Sequence, residues 1–447
     1  MPTLAISTKQ DSVRELQRTL YRAAKADPGR RFHALYDKVH RRDVLERAWG
    51  LVRANHGAAG IDKQTIADVE EYGIAKLLDE LAADLKDGSW RPLPACRVFI
   101  PKPGKQELRP LSIPTVRDRV VQTAAKIVIE PIFEADMLDC SYGFRPRRST
   151  LDALQVLIDE SWRGRRWVAE SDIANCFEAI PHSGLMSAIE ERICDRRLLK
   201  LLRAMLRAGV LDGGSVTRSG SGTPQGGVIS PCLCNVYLHR LDRQWTKRGH
   251  GRLVRYADDL LAVCRTEREA ERALAALSEV LAELGLVLKP AKTRIVHLCD
   301  GGEGLDFLGF HRRRVRVLNP RYRNVTFLAR WPTREKMQHA RDRIRELTDG
   351  RRLLLSDEQV VKEVNTFLRG WAGYVRYGNS ASQLAEINRY AAERVVLFVG
   401  KRHKRGRGKG WAKLLASPDR MGLINITGAT IAPRPDKPWR EKPNARR

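Results

Sequence analysis

Two aspartates, Asp258 and Asp259, stand side by side between apolar runs in the segment LVRYADDLLAV, and a third, Asp172, lies at the end of the apolar run in WVAESDIANCFEAIPH. Adjacent carboxylates held in a half-buried turn repel each other, and a divalent cation seated between them and an incoming phosphate relieves that repulsion. A ligand set made only of oxygen suits Mg²⁺ best. An acidic pair between two strands also serves as an ordinary polar turn, and turn statistics alone leave both readings open. Between the acidic sites lies GSGTPQGGVISPCLCNVYL, a glycine-rich turn that leads into an apolar, helix-like segment.

Carboxylates act together only if rigid elements hold them, and the flanking patterns predict such elements. The apolar runs around Asp258 and Asp259 read as the two strands of a hairpin. TEREAERALAALSEVLAELG follows, with Leu274, Leu277, Leu281 and Leu284 at helical spacing and Gly285 where a helix would end. Such a helix should lay its leucine face on the sheet. From Arg91 to about His311 short β-like runs alternate with helical segments, the pattern of a mixed α+β fold. Ahead of it, KVHRRDVLERAWGLVRANHG reads as an amphipathic helix ending at Gly57. Behind it, charged helical stretches carry Met337, Ile344 and Leu347 on one side and Arg341, Arg343 and Arg345 elsewhere. These arginines make either a solvated charged face or a nucleic-acid surface.

A chain of 447 residues is too long for one ordinary core, and its 43% hydrophobic content is enough to fold two to four domains. The 81 Lys and Arg against 53 Asp and Glu give a formal charge of +28, which calls for a polyanionic partner. No run of 18 apolar residues and no signal-peptide core is present, so a membrane is not expected as that partner and the chain is read as cytoplasmic. The eight cysteines are scattered without zinc-finger spacing and are expected to be reduced core residues. From Lys401 onward fourteen Lys and Arg face three Asp and Glu, with five prolines, which suggests an extended tail.

Asp172 with Phe177, then Pro224-Gln225-Gly226, then Tyr256-Ala257-Asp258-Asp259 resemble the palm motifs of reverse transcriptases, in the family's order and spacing. FIPKPGKQELRPLSIPTVRDRVVQTAAKIVIEPIFE, CSYGFRPRRSTLDAL, GLVLKPAKTRIVHL and GLDFLGF are similar to the finger, palm and primer-grip blocks of the reverse transcriptases encoded in bacterial group II introns. FLRGWAGYVRYGN resembles their maturase or thumb region, domain X. The resemblance runs from about Asn55 to the C terminus. It implies a right-hand polymerase fold of the α+β class: an N-terminal helical extension over residues 1–90, fingers and palm over 91–315, an α-helical thumb or domain X over 316–400, and a basic nucleic-acid-binding tail over 401–447.

The same resemblance implies roles for single residues. Asp172, Asp258 and Asp259 would be the catalytic metal ligands, joined by the backbone carbonyl of Ile173. Phe177 would be the ring beneath the sugar that collides with a 2′-hydroxyl. Lys102 and Arg109, in a Gly- and Pro-punctuated finger hairpin, would meet the triphosphate, and Gln225 would lie beneath the incoming nucleotide. Lys292 would sit near the leaving pyrophosphate, with Lys289 as its alternative. Ala174 and Asn175 replace the family's commoner Lys-Gly, and Glu178 stands where Asp is frequent.

The function so implied is an RNA-directed DNA polymerase using two Mg²⁺ ions, acting on dNTPs with an RNA template and a DNA primer. Its further partners would be its own group II intron RNA, whose splicing it assists as a maturase, and a target DNA. It would work as a nucleoid-associated ribonucleoprotein, as a monomer or dimer. A free-standing reverse transcriptase for defence or repair and a splicing factor with a relic polymerase fold are the alternatives. The intact acidic set speaks against the relic. Many relatives carry an HNH endonuclease with paired cysteines, and with no such array in this sequence, priming from a replication fork or nick is expected instead of second-strand cleavage.

Overall fold

The alternation read between Arg91 and His311 becomes two four-stranded sheets carried on helices, and a third, three-stranded sheet begins there and runs on to Pro332. The computed structural model describes residues 3–101, 108–218, 220–248, 250–317, 325–403, 421–428 and 430–436. Five helices come first: α1 (Thr3–Ala26), α2 (Tyr36–Val39), α3 (Arg42–Ala54), α4 (Ile66–Tyr72) and α5 (Ile74–Asp87). The amphipathic α3 stops before Gly57, because Asn55 caps it and His56 already turns the chain at φ 45°.

The first sheet holds an antiparallel hairpin, β1 (Ala95–Pro101) and β2 (Leu108–Ile113), extended beside β1 by β4 (Val210–Asp212) and β5 (Ser215–Thr217). After β2 comes α6 (Val116–Glu134), buried along most of its length, with α1 and α3 packed against it. The second sheet has the order β6-β7-β3-β8, antiparallel throughout, built from β3 (Trp167–Asp172), β6 (Arg252–Tyr256), β7 (Asp259–Cys264) and β8 (Arg294–His297).

Of helices α7 (Thr150–Trp162), α8 (Cys176–Ala179), α9 (His182–Glu190), α10 (Arg196–Arg207) and α11 (Ser230–Arg248), α7 packs on β6, while α9 lies against both α10 and α11. Helix α12 (Glu267–Glu283) is capped by the Thr266 side chain, buries Leu277, Val280 and Leu281, and gives way to Gly285 at φ +67°. That is the leucine-faced helix its spacing predicts, lying on β3 and β7.

The third sheet, β11-β10-β9, joins β9 (Leu305–Phe307), β10 (Phe310–Arg316) and β11 (Thr326–Pro332). Within FLGF, Leu308 and Gly309 form the tight turn between β9 and β10, both at positive φ. Beyond it α13 (Arg334–Leu347), α14 (Asp357–Val375) and α15 (Ala381–Arg402) close over a separate apolar core that includes Met337, Ile344, Leu368 and Trp371. The Tyr374 hydroxyl of α14 donates to Leu308 O at 2.7 Å, which ties this helical unit to the FLGF turn.

Arg341, Arg343 and Arg345 are not free cations, since each pairs with an acid: Glu386, Glu346 and Asp342. The described part of the basic tail is not extended away from the protein. Leu423 and Ile426 are buried in the helical core, Ile424 N donates to Asn365 Oδ1 at 3.0 Å, and Asp436 N reaches Asp159 Oδ1 on α7 at 2.8 Å. Its apolar residues outweigh its charge in deciding where it goes. No helix among the described residues is long and apolar enough to cross a membrane.

Candidate active site

Strand register brings the acidic residues together. In the β3–β7 pair Asp172 lies opposite Asp259, although 87 positions separate them in the chain (259 − 172). In the β6–β7 pair Tyr256 lies opposite Asp259, which leaves Ala257 and Asp258 as the two residues of the turn. Ala257 takes φ +57°, the left-handed conformation that a two-residue hairpin demands. Ile173 N then donates to Asp258 O at 3.2 Å and stitches the turn to the end of β3. All three carboxylates therefore belong to one end of one sheet.

Lys292, in a 3-10 turn spanning Pro290–Lys292, sets its ammonium 2.5 Å from Asp172 Oδ2. Lys289 N donates to Asp172 O at 2.8 Å, so the backbone of Lys289 fixes the turn while the side chain of Lys292 serves the site. Asp172 Oδ1 is buried and has no hydrogen-bond partner among the described residues. Burial raises the Asp258 carboxyl above the usual aspartate value, with Asp172 adding to the push. Burial, then Asp258 and Asp172, lift Asp259 to about 7. Partial burial pulls Lys292 down, but its hydrogen bond to Asp172 and the charge of all three aspartates more than offset this and raise it.

These features suit a cation: an orphaned buried oxygen, two carboxyls held toward the neutral form, and an all-oxygen donor set. Among the described residues no three acidic, histidine or cysteine side chains are already closed around a common point, so the aspartates form an open cradle and not a finished cage. Ile173 lies at the same sheet end, where it bridges to Leu288.

The candidate nucleotide residues meet at the next layer. Thr223 N donates to Phe177 O at 2.6 Å, tying the glycine-rich turn to α8. Gln225 O accepts from Ser112 N of β2 at 2.5 Å. Gly226, at φ +107°, makes this approach possible, because a Cβ there would fall 2.6 Å from Ser112 O. Strand β2 also carries Arg109, opposite Ile100, and the Arg109 charge reaches Asp258, where it opposes the rise of that carboxyl. Asp172, Asp258, Asp259, Lys292, Phe177, Gln225 and Arg109 are thus drawn into one connected region, whereas Lys102 lies outside the described residues.

Two supporting residues escape a reading of the sequence. Gly143 backs the carboxylate turn so closely that a Cβ would sit 2.5 Å from Ala257 N. Arg255 is wholly buried beneath the same turn. A glycine between two aromatics in CSYGF hints at the first; nothing local marks the second in a chain with 81 Lys and Arg.

The unpaired carboxyls should make the metal-free protein sensitive to pH. Asp259, ordinarily near 3.8, keeps its proton in the folded protein up to about 7. Between those values the folded state binds more protons than the unfolded chain, so stability falls as pH rises through the window and levels off above it. In EDTA, Asp259→Asn is expected to be more stable than the parent at pH 8 by about 1–2 kcal/mol and equal to it near pH 4. Thermal unfolding across that range checks this, and equal Tm values for parent and variant at pH 8 would count against a buried, repelled Asp259.

A four-stranded antiparallel sheet with paired aspartates at one end, roofed by a β-hairpin and followed by a helical unit, is the palm, fingers and thumb arrangement of a right-hand polymerase. Residues 100–312 match the family described as reverse transcriptase (RNA-dependent DNA polymerase), and residues 337–415 match the group II intron, maturase-specific domain. The chain is 34% identical to protein YkfC of Escherichia coli over 343 residues, covering 67% of this chain and 88% of that one. It is 39% identical to the group II intron-encoded protein LtrA of Lactococcus lactis over 214 residues, 47% of this chain but only 35% of LtrA. A telomerase structure from Candida albicans aligns over 80% of this chain and 66% of that one at a TM-score of 0.40 and 14% identity. This chain belongs to the group II intron-encoded reverse transcriptase and maturase family.

Proposed function

We propose that this protein is an RNA-directed DNA polymerase whose working carboxylates are Asp172, Asp258 and Asp259, and that it also binds a group II intron RNA as a maturase. The observation that carries the polymerase reading is the register of β3 against β7, which sets Asp172 opposite Asp259 with Asp258 in the adjoining turn. The reaction joins a primer 3′-hydroxyl oxygen to the α-phosphorus of a dNTP; the bond to the bridging oxygen breaks, pyrophosphate leaves, and the hydroxyl proton is lost. Two Mg²⁺ ions held by the three aspartates and the Ile173 carbonyl would stabilise the attacking and departing oxygens. The protein's own groups then orient the reactants. Arg109 and Lys102 would grip the triphosphate, Gln225 would support the nucleotide from below, and the half-exposed Lys292 ammonium beside Asp172 would face the leaving pyrophosphate.

Phe177, partly buried on α8, would exclude the 2′-hydroxyl. Phe177→Val is expected to raise the relative efficiency of ribonucleotide incorporation by about 10- to 100-fold, the range open to a change of steric fit. Single-nucleotide incorporation with matched dNTP and rNTP measures it, and unchanged discrimination would make Phe177 a packing residue.

Primer extension on an RNA template with purified protein, in Mg²⁺ and in EDTA, tests the polymerase reading. Extension in Mg²⁺ alone is expected, and failure on every primer and template overturns it. The net charge of +28 and the match to the maturase-specific domain support the RNA-binding half. Sequencing RNA that co-purifies from the native locus through a high-salt wash should return one structured RNA surrounding the gene. A broad sample of cellular RNA would point to a free-standing reverse transcriptase instead.

A further inference from the structure

Arg255 lies on β6, three positions before Asp258, with its side chain 0% exposed. A guanidinium carries five N–H donors, and here five hydrogen bonds leave it. Nε and one terminal nitrogen clasp Asp242 of α11 at 2.8 and 2.6 Å. The other terminal nitrogen reaches Asn235 Oδ1 at 2.9 Å and Ala257 O at 3.3 Å, and the last bond runs to Ser141 Oγ at 2.7 Å. Asn235 in turn donates to Gly143 O at 2.8 Å, in the strip that backs the carboxylate turn.

A buried ion pair is seldom the most stabilising choice, since apolar side chains of similar volume often serve as well or better. What an apolar residue could not do is hold Ala257 O. That oxygen belongs to the peptide leading into Asp258, in a residue at φ +57°. Asp258 O on the far side of the same turn is held by Ile173 N. The turn is thus gripped at both ends, by Arg255, which is itself anchored to Asn235 and Asp242 of α11, and by Ile173 just past the end of β3.

Helix α11 also governs the nucleotide side. Ser230, at its first turn, donates from Oγ to Pro224 O at 3.0 Å, directly before Gln225. One helix therefore anchors the Pro224-Gln225 turn at its start and, through Asn235, Asp242 and Arg255, the Asp258 turn along its middle.

We propose that Arg255 is a positioning residue for the cation site: together with Asp242 and Asn235 it fixes the Ala257 peptide and so the direction of the Asp258 carboxylate. This rests on the polymerase reading for its consequence in catalysis, but not for its consequence in metal binding. Losing such support of a metal ligand typically costs about 10- to 100-fold in metal affinity.

The test compares the parent with Arg255→Lys and with the double variant Arg255→Met/Asp242→Leu, which removes both charges together and leaves none unpaired. Mn²⁺, standing in for Mg²⁺, is titrated by electron paramagnetic resonance without nucleic acid, alongside Tm, kcat and the KM for dNTP. The double variant should keep a cooperative unfolding transition, bind Mn²⁺ about tenfold more weakly or worse, and lose kcat at least as much, with KM changed less than about twofold. A folded double variant with parental Mn²⁺ affinity and kcat overturns the proposal. If it does not fold, Arg255→Lys, which keeps the charge but cannot reach five acceptors, decides by the same measurements. A parent that binds Mn²⁺ but never extends a primer would sink the polymerase reading and leave the metal-binding comparison standing.

Discussion

Asp258→Ala is expected to lower primer extension by at least about 10³-fold, roughly 4 kcal/mol of barrier, while leaving the protein folded. The two halves of that result have one cause. The Asp258 carboxyl is held above its usual pKa by burial and by Asp172, so in the metal-free protein its charge is a burden on the fold. Its removal would take away a proposed cation ligand together with a backbone hydrogen bond and the attraction of Lys292 and Arg109, which burial and Asp172 outweigh, so the Tm in EDTA should stay level or rise. This combination separates a catalytic carboxylate from a structural one, whose loss would lower both quantities together. Single-turnover extension in Mg²⁺ with a parallel unfolding scan measures it. Extension at the parental rate would remove Asp258, and with it the cradle formed with Asp172 and Asp259, from the mechanism.

The second large effect comes from a residue with no reactive group. Gly143→Ala would put a Cβ 2.5 Å from Ala257 N and 3.0 Å from Tyr256 C, both backbone atoms that cannot swing aside. The Asp258 turn must then shift, and misplacing a reacting group by about 1 Å costs roughly 10²-fold in rate. Gly370→Ala supplies the comparison. Gly370 is exposed in the middle of α14, and a Cβ placed there would meet no atom within 4 Å, so the same chemical change should leave extension intact and stabilise the helix by up to about 1 kcal/mol. Gly143→Ala protein with parental kcat would mean that the turn is not held against the strip around residue 143.

The acidic set was legible because its signals are local. Asp258 and Asp259 are neighbours between two apolar strands, and the α12 helix announces itself through leucine spacing and Gly285. Gly226 shows the limit: the glycine-rich turn was legible, but that it packs against Ser112 O of β2 was not. Other expectations depended on partners the sequence does not display. Arg341, Arg343 and Arg345 of α13 pair with acids, one of them, Glu386, on another helix. The described part of the tail, residues 421–428 and 430–436, is drawn back by Leu423 and Ile426, while most of the KRHKRGRGKG cluster lies outside the described residues. The amphipathic α3 ends where His56 turns the chain, ahead of the glycine that looked like its stop.

By itself the sequence pointed, through its resemblance to reverse transcriptase motifs, to the residues proposed for the chemistry, and through periodicity and turn composition, which act over a few residues, to the hairpin and the leucine-faced helix near them. Only the tertiary structure decided how those residues are aimed. Asp172 meets Asp259 through β3–β7 register, Lys292 reaches Asp172 across 120 positions, and Arg255 is buried against Asp242, Asn235 and Ser141. A buried arginine and a surface arginine look alike in a basic chain. What separates them is desolvation and the geometry of five acceptors, and both exist only once the chain has folded.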